Sequence, residues 1–212
     1  MYRFVGVVML CFVTNFALGQ CSWQFKKEDD GIKIYTGRAP NTNFKAIKVE
    51  CTVNARLSQL VAFLLDVSGQ NEWVYGNKSS ELVKKIGTNE IVFYSVVDLP
   101  WPCANRDYIS HIIFTQESPQ ALSIEAHTEP DLLPEKSGLV RIRESHAHWD
   151  ISSVDKEHQS IVYTVQFDPG GSLPAWLVNM FVTKGPLQTF QKLRVCVAKP
   201  QYKNAQVDFI KE

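Results

Sequence analysis

The chain has 212 residues, 45% of them hydrophobic and 21% charged, which suits one domain with a sizeable core and excludes a disordered chain. Lys+Arg and Asp+Glu both number 22. With no charge excess, nothing in the composition draws the protein toward nucleic acid or anionic surfaces.

At the N-terminus, Arg3 precedes an apolar stretch over residues 4–16, interrupted only by Thr14 and Asn15. Ala17-Leu18-Gly19 then supplies small residues at the −3 and −1 positions of a signal-peptidase site. The stretch is too short to span a bilayer core of about 30 Å as a helix. The expectation is a signal peptide over 1–19, a single domain over 20–212, and export to the periplasm or the exterior. A buried N-terminal helix is the plain alternative. A lipid anchor at Cys21 is another, although Gln20 is not the small residue such a site wants. Export leaves Cys21, Cys51, Cys103 and Cys196, for which three full pairings exist and sequence chooses none. Buried free thiols are the simpler reading, since a chain of this size holds its core without staples.

Short strands are expected over 23–27 and 32–36, joined by Asp29-Asp30-Gly31. Over 47–53 the alternation is clean: Ile47, Val49, Cys51 and Val53 share one face, and Lys48, Glu50 and Thr52 the other. Asn54 is a candidate cap for a helix whose apolar positions Leu57, Leu60, Val61, Leu64 and Leu65 follow helical spacing. After a polar break at 68–72 and Trp73, strands are expected over 82–85, 91–98, 108–116, 121–127, 139–151 and 161–167. Strands in succession without helices between them predict an antiparallel sheet. The stretch 99–105 contains Pro100 and Pro102, which cannot donate to a ladder, and must leave the sheet as a loop. Ser172 and Pro174 signal the start of a final amphipathic helix. Gly185-Pro186 in its middle predicts a kink or restart, and with it a hinge.

The fold class expected is α+β: a long, curved antiparallel sheet with its C-terminal helix laid across the concave face. An internal hydrophobic cavity remains between them. Catalytic signatures are absent: there is no nucleophile elbow, phosphate-cradling loop or His-Glu-x-x-His. No Cys/His cluster has metal spacing. His146 and His148 share a strand face but lack a third ligand nearby, so no metal or cofactor is expected. Arg141 shares a face with Arg143 and Trp149 if the strand is regular, and points either to solvent or inward to hold the polar end of a ligand. Arg106-Asp107 reads either as a surface ion pair or as part of the site.

Four segments resemble the START family of lipid-transfer domains, in that family's order. They are Glu72-Trp73-Val74; Val97-Asp98-Leu99-Pro100-Trp101-Pro102 running into Asn105-Arg106-Asp107-Tyr108; Val140-Arg141 followed by Trp149; and Pro169-Gly170-Gly171-Ser172-Leu173-Pro174-Ala175-Trp176-Leu177-Val178-Asn179. The resemblance spans residues 23–202. It implies a helix-grip fold around one lipid-sized tunnel, gated by 99–105 with Trp176, Met180 and Phe181. The ligand contacts it implies, together with the aromatic strand positions, are Trp73, Phe93, Tyr94, Trp101, Arg106, Tyr108, Ile112, Arg141, Trp149, Tyr163, Trp176, Met180 and Phe181. Sterol-binding members carry an acidic–basic pair where Phe93 and Ile112 stand, so a sterol-type anchor does not carry over. The expected partner is a lipid or other hydrophobic small molecule, bound by a monomer that touches membranes transiently, with transfer left open. An enzyme of cyclase or hydrolase type on the same scaffold, and an interaction module with a self-filled cavity, remain alternatives.

Overall fold

The computed structural model describes residues 22–38 and 45–211; the expected leader, Cys11 and Cys21 lie outside them. A hairpin of β1 (Gln24–Asp29) and β2 (Ile32–Arg38) opens the fold, turned at Asp30-Gly31, where both residues have positive φ. Then come β3 (Lys45–Asn54), α1 (Leu57–Leu65) and α2 (Gln70–Trp73). The middle of the chain is β4 (Asn77–Lys85), β5 (Glu90–Val97), β6 (Asn105–Ser118), β7 (Ala121–Thr128), β8 (Leu139–Arg141), β9 (Ser145–Ser153) and β10 (His158–Phe167). The sheet order is β1-β2-β3-β10-β9-β7-β6-β5-β4, with β8 attached to β6. Every pairing is antiparallel except β6 with β8.

Period-two patterning decides which face is buried. Ile47, Val49, Cys51 and Val53 are all buried, as their alternation predicts, and meet Leu60, Val61 and Leu64 of α1 in the main core. The chain ends in α3 (Ala175–Asn179), a π-helical turn (Met180–Lys184), α4 (Gly185–Val197) and α5 (Pro200–Lys203). Leu187, Phe190, Leu193 and Val197 line the buried side of α4. Polar contacts fix its far end: Gln59 Nε2 donates to the Val197 carbonyl at 2.8 Å, and Arg194 Nε to the Thr52 carbonyl at 2.9 Å.

Three local expectations need correction. Asn54 is no cap: it stays in β3 opposite His158, and the helix starts after an extended Arg56. Ser172 likewise precedes the last helix, whose N-cap is Pro174. At Gly185-Pro186 the helix restarts as expected: the π turn gives way to α4, with Pro186 in its first turn, where a missing N–H is tolerated. Gly185 is needed there for closeness: a Cβ would lie 3.0 Å from Tyr75 Cδ1. Finally, the strand expected over 139–151 is two strands. β8 runs parallel to β6, residues 142–144 leave the ladder, and β9 pairs with β7 and β10.

The split follows from Arg141. On β6, Arg106 and Asp107 are neighbours and so face opposite sides of the sheet. Asp107 points to the outer face, where Arg141 meets it in a two-pronged ion pair, Nε to Oδ1 at 3.0 Å and Nη2 to Oδ2 at 2.9 Å. The remaining guanidinium protons go to the carbonyls of Pro130, Leu133 and Pro134. Tyr94 adds its hydroxyl to Asp107 at 3.0 Å. Burial, reinforced by that carboxylate, pushes the Tyr94 pKa up to about 12. The segment 129–138 is thereby pinned over a small outer core of Val92, Tyr94 and Ile109, with Leu133 packed against it.

Removing one member of a buried pair strands the other charge. Asp107→Ala is expected to lower the unfolding free energy by about 3–5 kcal/mol, and Asp107→Asn by less, because the amide oxygen still accepts from Arg141. Urea denaturation at neutral pH measures both, and a loss below about 1 kcal/mol for Asp107→Ala, the level of an exposed pair, would contradict this role.

Candidate ligand-binding cavity

Two adjoining cavities of about 240 and 300 Å³ lie between the inner face of the sheet and the C-terminal helix, sharing Val97, Ile142, Phe167 and Phe181 as walls. Alternation along the strands builds the deeper one. Phe93 of β5, Tyr108 and Ile112 of β6, Ala147 and Trp149 of β9, and Tyr163 and Val165 of β10 all face it, and Phe190 and Pro186 close it from the helix. Trp149 lies 4.5 Å from Tyr163 and 5.5 Å from Phe190, ring centre to ring centre. Burial pushes the Tyr163 hydroxyl pKa upward, so it stays neutral. The indole N–H of Trp73, which also borders this cavity, is buried and has no hydrogen-bond partner among the described residues.

The second cavity adjoins the 99–105 loop. Its walls are Leu99, Pro169, Leu173, Val178 and Val182, with one charged group, Arg106. Arg106 is buried. Its Nε donates to the Pro169 carbonyl at 3.2 Å, Nη1 to Ala104 at 2.5 Å and Nη2 to Gly170 at 3.0 Å. Gly170 and Gly171 both have positive φ, of 70° and 61°, a conformation that suits glycine and turns this loop's carbonyls toward the guanidinium. A Cβ on Gly170 would come within 3.0 Å of Val140 Cγ1. Among the described residues no carboxylate pairs with Arg106, and burial holds its pKa below the ordinary arginine range. Arginine nevertheless remains charged in proteins. The cavity is thus apolar, with one buried guanidinium at its end that has no carboxylate partner among the described residues.

The family model described as "START domain" matches residues 8–203. The chain belongs to the START family. It is 28% identical over 177 residues to an uncharacterized protein of Pseudomonas aeruginosa, covering 84% of this chain and 87% of the relative. It is 30% identical over 176 residues to the phosphatidylcholine transfer protein of Bos taurus, covering 80% and 81%. A START-related lipid transfer protein of Xanthomonas axonopodis superposes with a TM-score of 0.76 at 28% identity, covering 84% of this chain and 99% of that structure.

This START domain brings together eight of the thirteen residues read from sequence as ligand contacts. Trp73, Phe93, Tyr108, Ile112, Trp149, Tyr163 and Phe181 border the deeper cavity, and Arg106 the other. Arg141 and Tyr94 do not join them: both serve the Asp107 network on the outer face, and every donor nitrogen of Arg141 is occupied. Trp101 and Trp176 are 91% and 53% exposed, carried outward by the loop and helix turn that border the cavity. Met180 is half-buried and not among the walls. Ile142, Phe167 and Leu173 were not singled out from sequence. Phe167 was legible as the same-face partner of Tyr163, whereas Ile142 reaches the cavity only because the strand breaks there. Cys51, Cys103 and Cys196 carry free thiols, and burial pushes the Cys51 pKa up to about 12.

Filling the deeper cavity should remove its capacity without unfolding the domain. Ala147→Phe is expected to weaken uptake of a fluorescent apolar probe at least about tenfold, equivalent to about 1.4 kcal/mol, while circular dichroism stays that of the wild type. Undiminished uptake would place the probe elsewhere.

Proposed function

We propose that this START domain binds one phospholipid, acyl chains in the adjoining cavities and phosphate at Arg106, and exchanges it between membranes. The observation that carries the reading is the buried guanidinium facing an apolar cavity without a carboxylate partner among the described residues. A neutral hydrophobe would leave that charge uncompensated, whereas a phosphodiester supplies a charge-assisted, geometrically matched acceptor. Support comes also from the bovine relative, a phosphatidylcholine transfer protein. Trp101 and Trp176 are exposed on segments that border the cavity, where amphipathic indoles suit the interfacial layer of a bilayer. Parting of the 99–105 loop from the Phe181 turn is the entry route this arrangement suggests. Binding is favoured over catalysis because no carboxylate is among the described residues that wall either cavity, and the histidine that borders the deeper one, His127, packs its ring against His111 on the outer face. Export on the leader read over 1–19 is part of this proposal, with the periplasm or the exterior as the place of action.

Two experiments test the reading. Arg106→Met should weaken phosphatidylcholine binding about tenfold or more, the value of one charge-assisted hydrogen bond, and leave diacylglycerol of the same chains nearly unchanged. Equal losses for both lipids would contradict the phosphate assignment. Trp101→Ala combined with Trp176→Ala should slow phosphatidylcholine transfer between vesicles severalfold at unaltered equilibrium binding, and unchanged rates would remove the tryptophans from membrane docking.

A further inference from the structure

The outer face of the sheet carries a constellation that lipid binding does not use. On β6, Tyr108, Ser110 and Ile112 face the cavity, so His111 is turned outward. Directly opposite it on β7 stands His127, and opposite His127 on β9 stands His146, three histidines in one cross-strand row. The rings of His111 and His127 lie 4.9 Å apart. Glu129 follows at the end of β7, its backbone fixed by a hydrogen bond from its N–H to the Ile109 carbonyl at 3.0 Å.

One carboxylate oxygen of Glu129 faces both rings: Oε1 is 2.6 Å from His111 Nδ1 and 3.9 Å from His127 Nε2. One ligating atom from each of the three side chains lies within 4.8 Å of the others. A tetrahedral zinc ion with bonds of about 2.0–2.1 Å holds its ligands about 3.3 Å apart, so changes of up to about 1.5 Å in their separations would seat it. A second observation supports the site independently. The other nitrogen of His111, Nε2, is 2.6 Å from Glu90 Oε1 on β5. Such a carboxylate behind the imidazole is the usual means by which a metal-ligating histidine has its tautomer and orientation fixed.

We propose that His111, His127 and Glu129 form a site for a divalent transition metal ion of the zinc class, with Glu90 orienting His111. Two imidazoles and one carboxylate suit zinc over magnesium or calcium, which prefer all-oxygen shells. Three protein ligands leave a fourth position for water. The ion ties the β6–β7 hairpin to the start of segment 129–138, the same segment that Arg141 holds from beneath, so it acts as a clamp on the outer face of the sheet, at a strand position that also borders the deeper cavity.

The test uses tag-free, chelator-treated protein titrated with Zn²⁺ by calorimetry, with Mg²⁺ as control. The expected result is one equivalent of Zn²⁺ per chain with a raised Tm, and no response to Mg²⁺. His127→Ala and Glu129→Gln, both on partly exposed side chains, should each weaken zinc at least about tenfold, while His158→Ala, at the far end of the sheet, should bind as the wild type does. Co²⁺ added to the unmodified protein gives a readout that needs no variant: visible ligand-field absorption of a nitrogen/oxygen site, lost on adding Zn²⁺. Absence of a one-to-one zinc isotherm, or wild-type affinity in either ligand variant, would overturn the proposal.

Discussion

Two adjacent residues of β6 organise this molecule, because the pleat sends them to opposite faces. Asp107 goes outward and is met by Arg141, which spends its whole guanidinium on that carboxylate and on three carbonyls of one segment. Arg106 goes inward and spends three nitrogens on the carbonyls of Ala104, Pro169 and Gly170. The outer pair decides where the sheet divides and where segment 129–138 rests. The inner residue ties the 99–105 loop to the approach of the last helix. A slip of one residue in the register of β6 would exchange the two roles and leave both charges unmatched.

The same pleat separates binding from scaffolding across the whole sheet. Inner positions of β5, β6, β9 and β10 are aromatic or aliphatic and surround the cavities. Outer positions of β5, β6 and β9, with β7 and β8, hold the Asp107 network and the histidine row. A buried guanidinium satisfied only by backbone carbonyls is electrostatically incomplete, and in the function we propose an anionic headgroup completes it. On the same proposal, a headgroup bound there would touch both the 99–105 loop and the turn that leads into the last helix.

Much of the fold was legible in residue patterning. The alternation from Ile47 to Val53, the helical spacing from Leu57 to Leu65 and the succession of strands without helices determine an antiparallel sheet with a terminal helix. Inner residues such as Trp149 and Tyr163 were legible because they sit in regular strands. Arg141 was not, because its direction depends on a break after β8 that no local pattern announces, and the acid that claims it lies on β6, remote in sequence. Gly185-Pro186 announces the restart of the last helix at α4, but not the π turn that precedes it. The pairing of His111 with His127 was in principle readable from a hairpin centred near Pro119-Gln120. His146 joins them only through the β7–β9 ladder, which is a property of the whole sheet.

Mass spectrometry under native conditions, on protein purified without detergent and followed by organic extraction of bound material, tests the central claim most directly. One phospholipid per chain, released on denaturation, is the result this structure calls for. An empty chain that also takes up no phospholipid from mixed vesicles would contradict it and point to a cavity that serves folding or partner recognition alone.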